Sequence, residues 1–205
     1  MKWEQDLVKD IRTGTEYDDH DHTDSSKIAH PHVECWPWPE VTDANRAAVK
    51  EEFLKVRDNC KAILEIGVCR NQKDSITHIF LDNKLEDTIY VGIDLDDKSF
   101  LNNSDKNIYT IQGSSSSIPE AMEIFKDIGI TEFGFIFIDG WHSINQVLTD
   151  WEYTQLLSPD GIVGFHDTST HPGPHWFVKA LNKDIWDVQE NVCLYDHGVG
   201  FARRK

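Results

Sequence analysis

The chain has 205 residues, of which 20 are Lys or Arg and 36 are Asp or Glu, giving a formal net charge of −16 at pH 7. A field of that sign repels phosphate backbones and anionic bilayers, so nucleic acid and membrane are not expected as partners. The length suits one domain with its own core, and a hydrophobic content of 39% is enough to fill it.

No run approaches the ~18 apolar residues of a membrane helix. Residues 1–10 are charged and mixed, without the apolar stretch of a signal peptide, so a cytoplasmic protein is expected. Cys35, Cys60, Cys69 and Cys193 form no C-x-x-C pair and read as scattered reduced thiols. Composition divides the chain into an N-terminal extension, residues 1–41, and a domain, residues 42–205. In the extension, the acidic stretch 16–24 reads as a solvated segment, with cation chelation as the alternative. Trp36 and Trp38, interleaved with Pro37 and Pro39, make a stiff aromatic surface suited to a lid over a site or to a contact between copies of a homo-oligomer.

In chain order, Thr42 caps a helix whose Val49, Phe53 and Val56 form one apolar stripe and which frays near Asn59. A buried strand follows at 61–66, ending at Gly67. A helix at 75–81, a strand at 88–93 ending at Asp94, and a strand at 107–112 come next. Pro119 sits in the first turn of a helix at 118–127. The run 133–138 is apolar on both faces, as a central parallel strand must be, and ends at Asp139. The next helix starts at Ser143, with Ile144, Val147, Leu148 and Trp151 on one face. It stops at a turn over 158–161, before a strand at 162–165 that ends at His166 and Asp167. A helix at 174–182 and two closing strands at 185–190 and 198–202, paired antiparallel, complete the chain.

This alternation predicts an α/β fold. The expectation is a doubly wound, mostly parallel sheet of about seven strands with helices on both faces and the last strand antiparallel. Such sheets bind ligands outside the carboxyl ends of their strands. Glu65 and Gly67, Asp94, Gly113 and Ser114, Asp139 and His142, and His166 and Asp167 all fall there. Gly67 permits a sharp turn and close approach of a ligand. Asp94, at the end of the second strand, can accept both hydroxyl protons of a ribose diol. The G-x-G-x-x-G loop of a pyrophosphate site is absent, which favours a nucleoside cofactor without phosphates.

The series Glu65-Ile66-Gly67, Val91-Gly92-Ile93-Asp94, Gly113-Ser114-Ser115, Phe137 to His142 and Leu157 to Asp167 resembles the class I S-adenosylmethionine (SAM)-dependent methyltransferases. The segment from Asp139 to Asp167 is most similar to the small O-methyltransferase-like group of sugar- and macrolide-modifying enzymes, distantly similar to catechol O-methyltransferases. The resemblance implies a Rossmann-like fold over about residues 42–205 and O-methylation of a hydroxylated small molecule. It implies that Glu65 and Gly67 line the methionine end of the cofactor, Asp94 holds the ribose, and Ser114 or Ser115 meets the adenine. It implies that Asp139 lies below the sulfonium and, with His166 and Asp167, binds a divalent metal such as Mg²⁺. It makes His142 the general base, with Asp139 and His166 as the other catalytic residues. The chain departs from the family in having no second Gly soon after Gly67; Asn71 is the residue there that tolerates a left-handed turn.

Methyl transfer from a sulfonium is an in-line displacement, so positioning of an activated acceptor oxygen supplies much of the rate. The two carboxylates, as hard oxygen ligands, favour Mg²⁺, and adding His166 or His142 would shift the preference toward Mn²⁺, Fe²⁺ or Zn²⁺. Two other readings compete. His142, His166, His171 and His175 with Asp139 and Asp167 could build a metal-dependent hydrolase, although Pro172, Gly173 and Pro174 are read as breaking the helix between His171 and His175. A non-catalytic relic of the same fold is the third.

Overall fold

The computed structural model describes residues 5–8, 11, 41–68, 75–190, 192 and 197–205. The expectations for the acidic and aromatic stretches of the extension, for the loop around Asn71 and for Cys35, Cys69 and Cys193 lie outside these residues. Seven strands form one sheet: β1 (Ala62–Ile66), β2 (Ile89–Asp94), β3 (Ile108–Gln112), β4 (Phe133–Ile138), β5 (Leu157–His166), β6 (Trp186–Gln189) and β7 (Val199–Arg204). Their order is β3-β2-β1-β4-β5-β7-β6, with β7 antiparallel to both of its neighbours and the first five strands parallel. The order reverses between β1 and β4, the switch point at which ligands bind in such sheets.

Helices α1 (Asp43–Val56) and α2 (Ile76–Asn83) cover one face, and α3 (Ile118–Asp127), α4 (Ile144–Trp151) and α5 (Pro172–Ala180) the other. Thr42 caps α1 by accepting the Asn45 N–H at 3.1 Å, and Ser143 caps α4 by accepting the Gln146 N–H at 3.1 Å. Phe135 and Phe137 of β4 face the α1 and α2 layer, where Phe53, Phe80 and Phe135 meet at centroid distances of 5.4–5.7 Å. Ile136 and Ile138 face the other layer, with Trp151, Phe165 and Phe177. Cys60 is buried, and burial pushes its thiol up to about 12, so it acts as a packing residue. No helix among the described residues is long and apolar enough to cross a membrane.

Three local expectations change. The turn at 158–161 lies inside β5: the register with β4 jumps from Phe133 against Leu157 to Phe135 against Ile162, and the four turn residues take up the slip. Helix α4 ends at Trp151 and continues as a 3-10 turn, Glu152–Leu156. Helix α5 opens at Pro172, not at residue 174. A proline in the first turn loses no hydrogen bond, so the Pro-Gly-Pro run starts this helix with His171 as its N-cap.

Residues 5–8 pack on the domain. Leu7 bridges Leu181, and the Val8 N–H donates to the Ala180 carbonyl at 2.9 Å. Asp6 is buried and accepts the indole N–H groups of Trp151 at 3.2 Å and Trp186 at 3.1 Å. Removing that carboxylate leaves two buried donors unpaired. Asp6→Ala should therefore cost about 2–4 kcal/mol in urea unfolding, and an unchanged midpoint would refute the docking of this segment.

Glu65 does not reach the lip of the sheet. It is 1% exposed, and its carboxylate accepts hydrogen bonds from the Thr77 hydroxyl at 3.0 Å and from the Tyr90 hydroxyl, tying β1 to α2 and β2. Burial pushes its pKa from 4.5 up to about 8, against those two hydrogen bonds and with smaller help from the Asp139 and Asp94 charges. The folded chain thus holds this proton more tightly than the unfolded one. Its stabilising contribution is complete below about pH 4.5 and is lost as pH rises through about 8. Melting temperatures of the ligand-free protein measured from about pH 5 to about pH 9 should fall more steeply for the natural chain than for Glu65→Gln; parallel profiles would refute the assignment.

Candidate active site

At the switch point the backbones of β1 and β4 nearly touch. Gly67 has φ +83°, and a Cβ there would lie 2.0 Å from the Asp139 carbonyl oxygen. The Gly67 N–H donates to the Ile93 carbonyl at 2.9 Å and the Asp139 N–H to the Ile66 carbonyl at 2.8 Å, so three strand ends are bound together. Asp94 closes the neighbouring end. Its Oδ2 accepts the Val68 N–H at 2.7 Å, its Oδ1 accepts the Asp96 N–H at 2.8 Å, and Lys98 Nζ stands 3.9 Å away. Each carboxylate oxygen keeps acceptor capacity, and the side chain is 16% exposed.

The loop after β3 is pinned to α4. Ser114 is exposed. Ser115 turns inward: its hydroxyl accepts from Gln146 Nε2 at 3.0 Å, and its carbonyl accepts from the Tyr153 hydroxyl at 2.7 Å. The same Gln146 amide nitrogen donates to Asp150 Oδ1 at 2.8 Å, and Gln146 Oε1 accepts from the Ser116 hydroxyl at 3.1 Å. Asp150 is fully buried, and burial pushes it up to about 7 against hydrogen bonds from Ser115 and Gln146. Its Oδ2 has no hydrogen-bond partner among the described residues and would lie 3.4 Å from a Cβ on Gly140.

Beyond β4 and β5 stands a group of histidines around Asp167, which takes the left-handed conformation at φ +60°. Its Oδ1 lies 3.0 Å from His197 Nδ1, 3.4 Å from His166 Nδ1, and 3.3 Å from the Thr170 hydroxyl, which donates to it. Its Oδ2 lies 2.8 Å from His142 Nε2. His166 Nδ1 is also 3.2 Å from Asp139 Oδ1, and its Nε2 is buried with no hydrogen-bond partner among the described residues. Burial alone would depress His166, yet the Asp139 and Asp167 carboxylates raise it well above the usual imidazole range. Burial alone would raise Asp167, yet the neighbouring His166 and His142 hold it well below the usual carboxylate range. The His142 and His171 rings stack at 4.1 Å, 18° from parallel, and both His142 nitrogens are buried. His175 faces elsewhere, with its Nδ1 against the Thr168 carbonyl at 2.8 Å.

The structure therefore brings Gly67, Asp94, Asp139, His142, His166 and Asp167 to one end of the sheet, with Ser115 on the neighbouring loop. It leaves Glu65 beneath them and Ser114 facing solvent. Two donor sets can hold a cation: Asp139 with His166 and Asp167, and Asp167 with His142 and His171, the donors in each lying within 4.8 Å of one another. The sequence reading missed Gln146, Asp150 and His197. Asp150 carried a signal, a carboxylate in the apolar stripe of α4 between Val147 and Trp151. His197 carried none, since it reaches Asp167 through long-range backbone pairing: the β5–β7 ladder continues into the Ser169 N–H, which donates to the residue 197 carbonyl at 2.8 Å.

No family model and no curated protein matches this sequence. Solved structures do match its fold. The MycE methyltransferase from the mycinamycin biosynthetic pathway, in complex with Mg, SAH and mycinamycin VI, is 18% identical with a TM-score of 0.56, over 77% of this chain and 48% of its own. This chain thus spans about half the length of MycE. An O-methyltransferase from Bacillus cereus in complex with SAH is 16% identical with a TM-score of 0.55, over 90% of this chain and 87% of its own. CalS11, a TDP-rhamnose 3'-O-methyltransferase of calicheamicin biosynthesis, is 14% identical with a TM-score of 0.60, over 78% of each chain. At these identities the likeness is one of architecture, and the architecture is the Rossmann-like fold of the class I O-methyltransferases.

Proposed function

We propose that this chain is a SAM-dependent methyltransferase that methylates a hydroxyl group of a small molecule with the help of a divalent cation. The observation that carries the reading is the junction of Gly67, Asp94 and Asp139 at the switch point of a fold shared with enzymes whose structures hold SAH and, in MycE, Mg.

The residues fit the cofactor. Asp94, fixed by two backbone N–H groups, presents its remaining lone pairs to the two hydroxyls of a ribose. Gly67, lacking a side chain, lets the β1 and β4 ends meet and so brings Asp139 beside the β1 terminus, where the methionine end would lie. Ser115, held by Gln146 and Tyr153, offers the adenine a loop that is already ordered. The Asp139 carboxylate places negative charge where a sulfonium would lie. When bound, SAM supplies an electrophilic methyl group. The residues also fit a metal: Asp139, His166 and Asp167 contribute two carboxylates and one imidazole at mutual distances of 3.2 and 3.4 Å, close to the about 3.0 Å that separates adjacent ligands of a six-coordinate ion. Such a cation would supply Lewis acidity that lowers the pKa of an acceptor hydroxyl.

His142 is the proton acceptor in this reading. Its nitrogens are shielded in the ligand-free arrangement, so it must swing out of its stack with His171 to meet an acceptor. On its return to the stack, the protonated ring meets Asp167 Oδ2, 2.8 Å from Nε2, as its counter-charge. Trp141, 47% exposed beside Asp139, offers an aromatic wall on which a sugar or planar acceptor can lie.

Two measurements test the reading. Isothermal titration with SAM and with SAH should give heat for both, and Asp94→Ala should weaken each by about tenfold or more through loss of a charge-assisted pair of hydrogen bonds. Absence of heat with either ligand would overturn the proposal. Once an acceptor is found by methyl transfer from labelled SAM to a panel of hydroxylated small molecules, His142→Gln should lower kcat about a hundredfold and leave SAM affinity unchanged; full activity would remove His142 as the base.

A further inference from the structure

We infer that His142, Asp167 and His171 form a second cation position, sharing Asp167 with the Asp139 set but reached through its other oxygen, and selective for a nitrogen-preferring divalent metal such as Zn²⁺. Its occupation holds His142 away from the acceptor. The inference rests on the proposed function only in naming what occupation would block; the binding does not depend on it.

Asp167 presents two different sides. Oδ1 faces His166, His197 and Thr170, while Oδ2 faces His142 Nε2 at 2.8 Å. The donors of His142, Asp167 and His171 all lie within 4.8 Å of one another. Two imidazoles and one carboxylate are the ligand set by which zinc and related ions are held with a coordination position left open. The Asp139 set, with two carboxylates, is the harder of the two and suits Mg²⁺ or Mn²⁺.

The backbone builds this position in advance. A Cβ on Gly173 would lie 1.9 Å from the His142 carbonyl oxygen, so the start of α5 is pressed directly onto the His142 segment. The His171 N–H donates to the Asp167 carbonyl at 3.0 Å, closing the third side. Three chain segments are therefore already fixed around the ligands, and binding need order only side chains. Asp167 is 5% exposed and His171 6%, so little water competes. His197 and Thr170 brace Asp167 from its other oxygen, the outer-shell support that ligating carboxylates receive. One adjustment is required. Rings stacked at 18° direct their lone pairs side by side, so they must splay until both meet the ion. A bound ion would keep His142 Nε2 directed at Asp167 Oδ2, now 2.8 Å away, whereas base catalysis needs the ring to swing out of the stack.

The test uses the full chain freed of metal. Zn²⁺ titrated calorimetrically should bind the natural protein, and His171→Gln should weaken it by about tenfold or more, while Mn²⁺ affinity, read by electron paramagnetic resonance, should not change. Asp139→Asn should do the reverse. Zn²⁺ affinity untouched by His171→Gln, or lost together with Mn²⁺ in Asp139→Asn, would overturn the inference. Should His171→Gln fail to fold, Co²⁺ added to Asp139→Asn gives an independent reading: hyperfine-shifted N–H resonances from two imidazoles support the position, and fewer than two refute it. If SAM gives no heat while these results hold, the methyltransferase reading fails and the metal position stands. If methyl transfer is present, Zn²⁺ should inhibit the natural chain and leave His171→Gln active.

Discussion

Contact between the ends of β1 and β4 governs the rest of this molecule. The Gly67 Cα lies so close to the Asp139 carbonyl that no side chain larger than hydrogen fits at that position, and φ +83° is a conformation that glycine alone adopts without strain. The two strands on which the sheet reverses its order are thereby clamped at their carboxyl ends. With Gly67 hydrogen-bonded to β2 as well, Asp94 and Asp139 cannot drift apart by much, since both sit one residue from a clamped backbone atom. Positioning of this kind is what a displacement reaction asks of a protein, because misplacement of the reacting groups by an ångström forfeits much of the rate.

On one side of that clamp the chain solves an electrostatic problem. A carboxylate 5% exposed, in a chain of net charge −16, is costly unless cations meet it. Here Asp167 lies against His142, His166 and His197, and shares His166 with Asp139. Burial and charge pull in opposite directions on both Asp167 and His166, and charge wins for each. The arrangement therefore contains protonatable nitrogens where a metal ion would otherwise have to be.

How much of this was legible follows from the range over which each signal acts. The strands were legible because short β-branched and aromatic runs ending in Gly or Asp are local, whereas their order in the sheet is set by long-range pairing. Asp94, Asp139, His166 and Asp167 were legible because each directly ends a strand. Glu65 misled because it also precedes a turn glycine, and the partners that hold it inside, Thr77 and Tyr90, are 12 and 25 residues away. The Pro-Gly-Pro run misled for a different reason: proline interrupts a helix in its interior but opens one at its start, and the sequence does not say which end is meant. His197 could not have been found by pattern, since its place beside Asp167 is set by strand pairing between β5 and β7.

Helix α4 joins the two halves of the site. Ser143 starts it one residue after His142, and Gln146 and Asp150, one turn apart, reach back to the loop after β3. Asp150, fully buried with its pKa pushed up to about 7 by burial, is an acceptor that helps fix which way the Gln146 amide faces. When the carboxyl is neutral, the amide nitrogen loses its strongest acceptor and the link to Ser115 weakens with it. The polar chain from Asp150 to Ser115 and the segment that carries His142 thus share one support, helix α4.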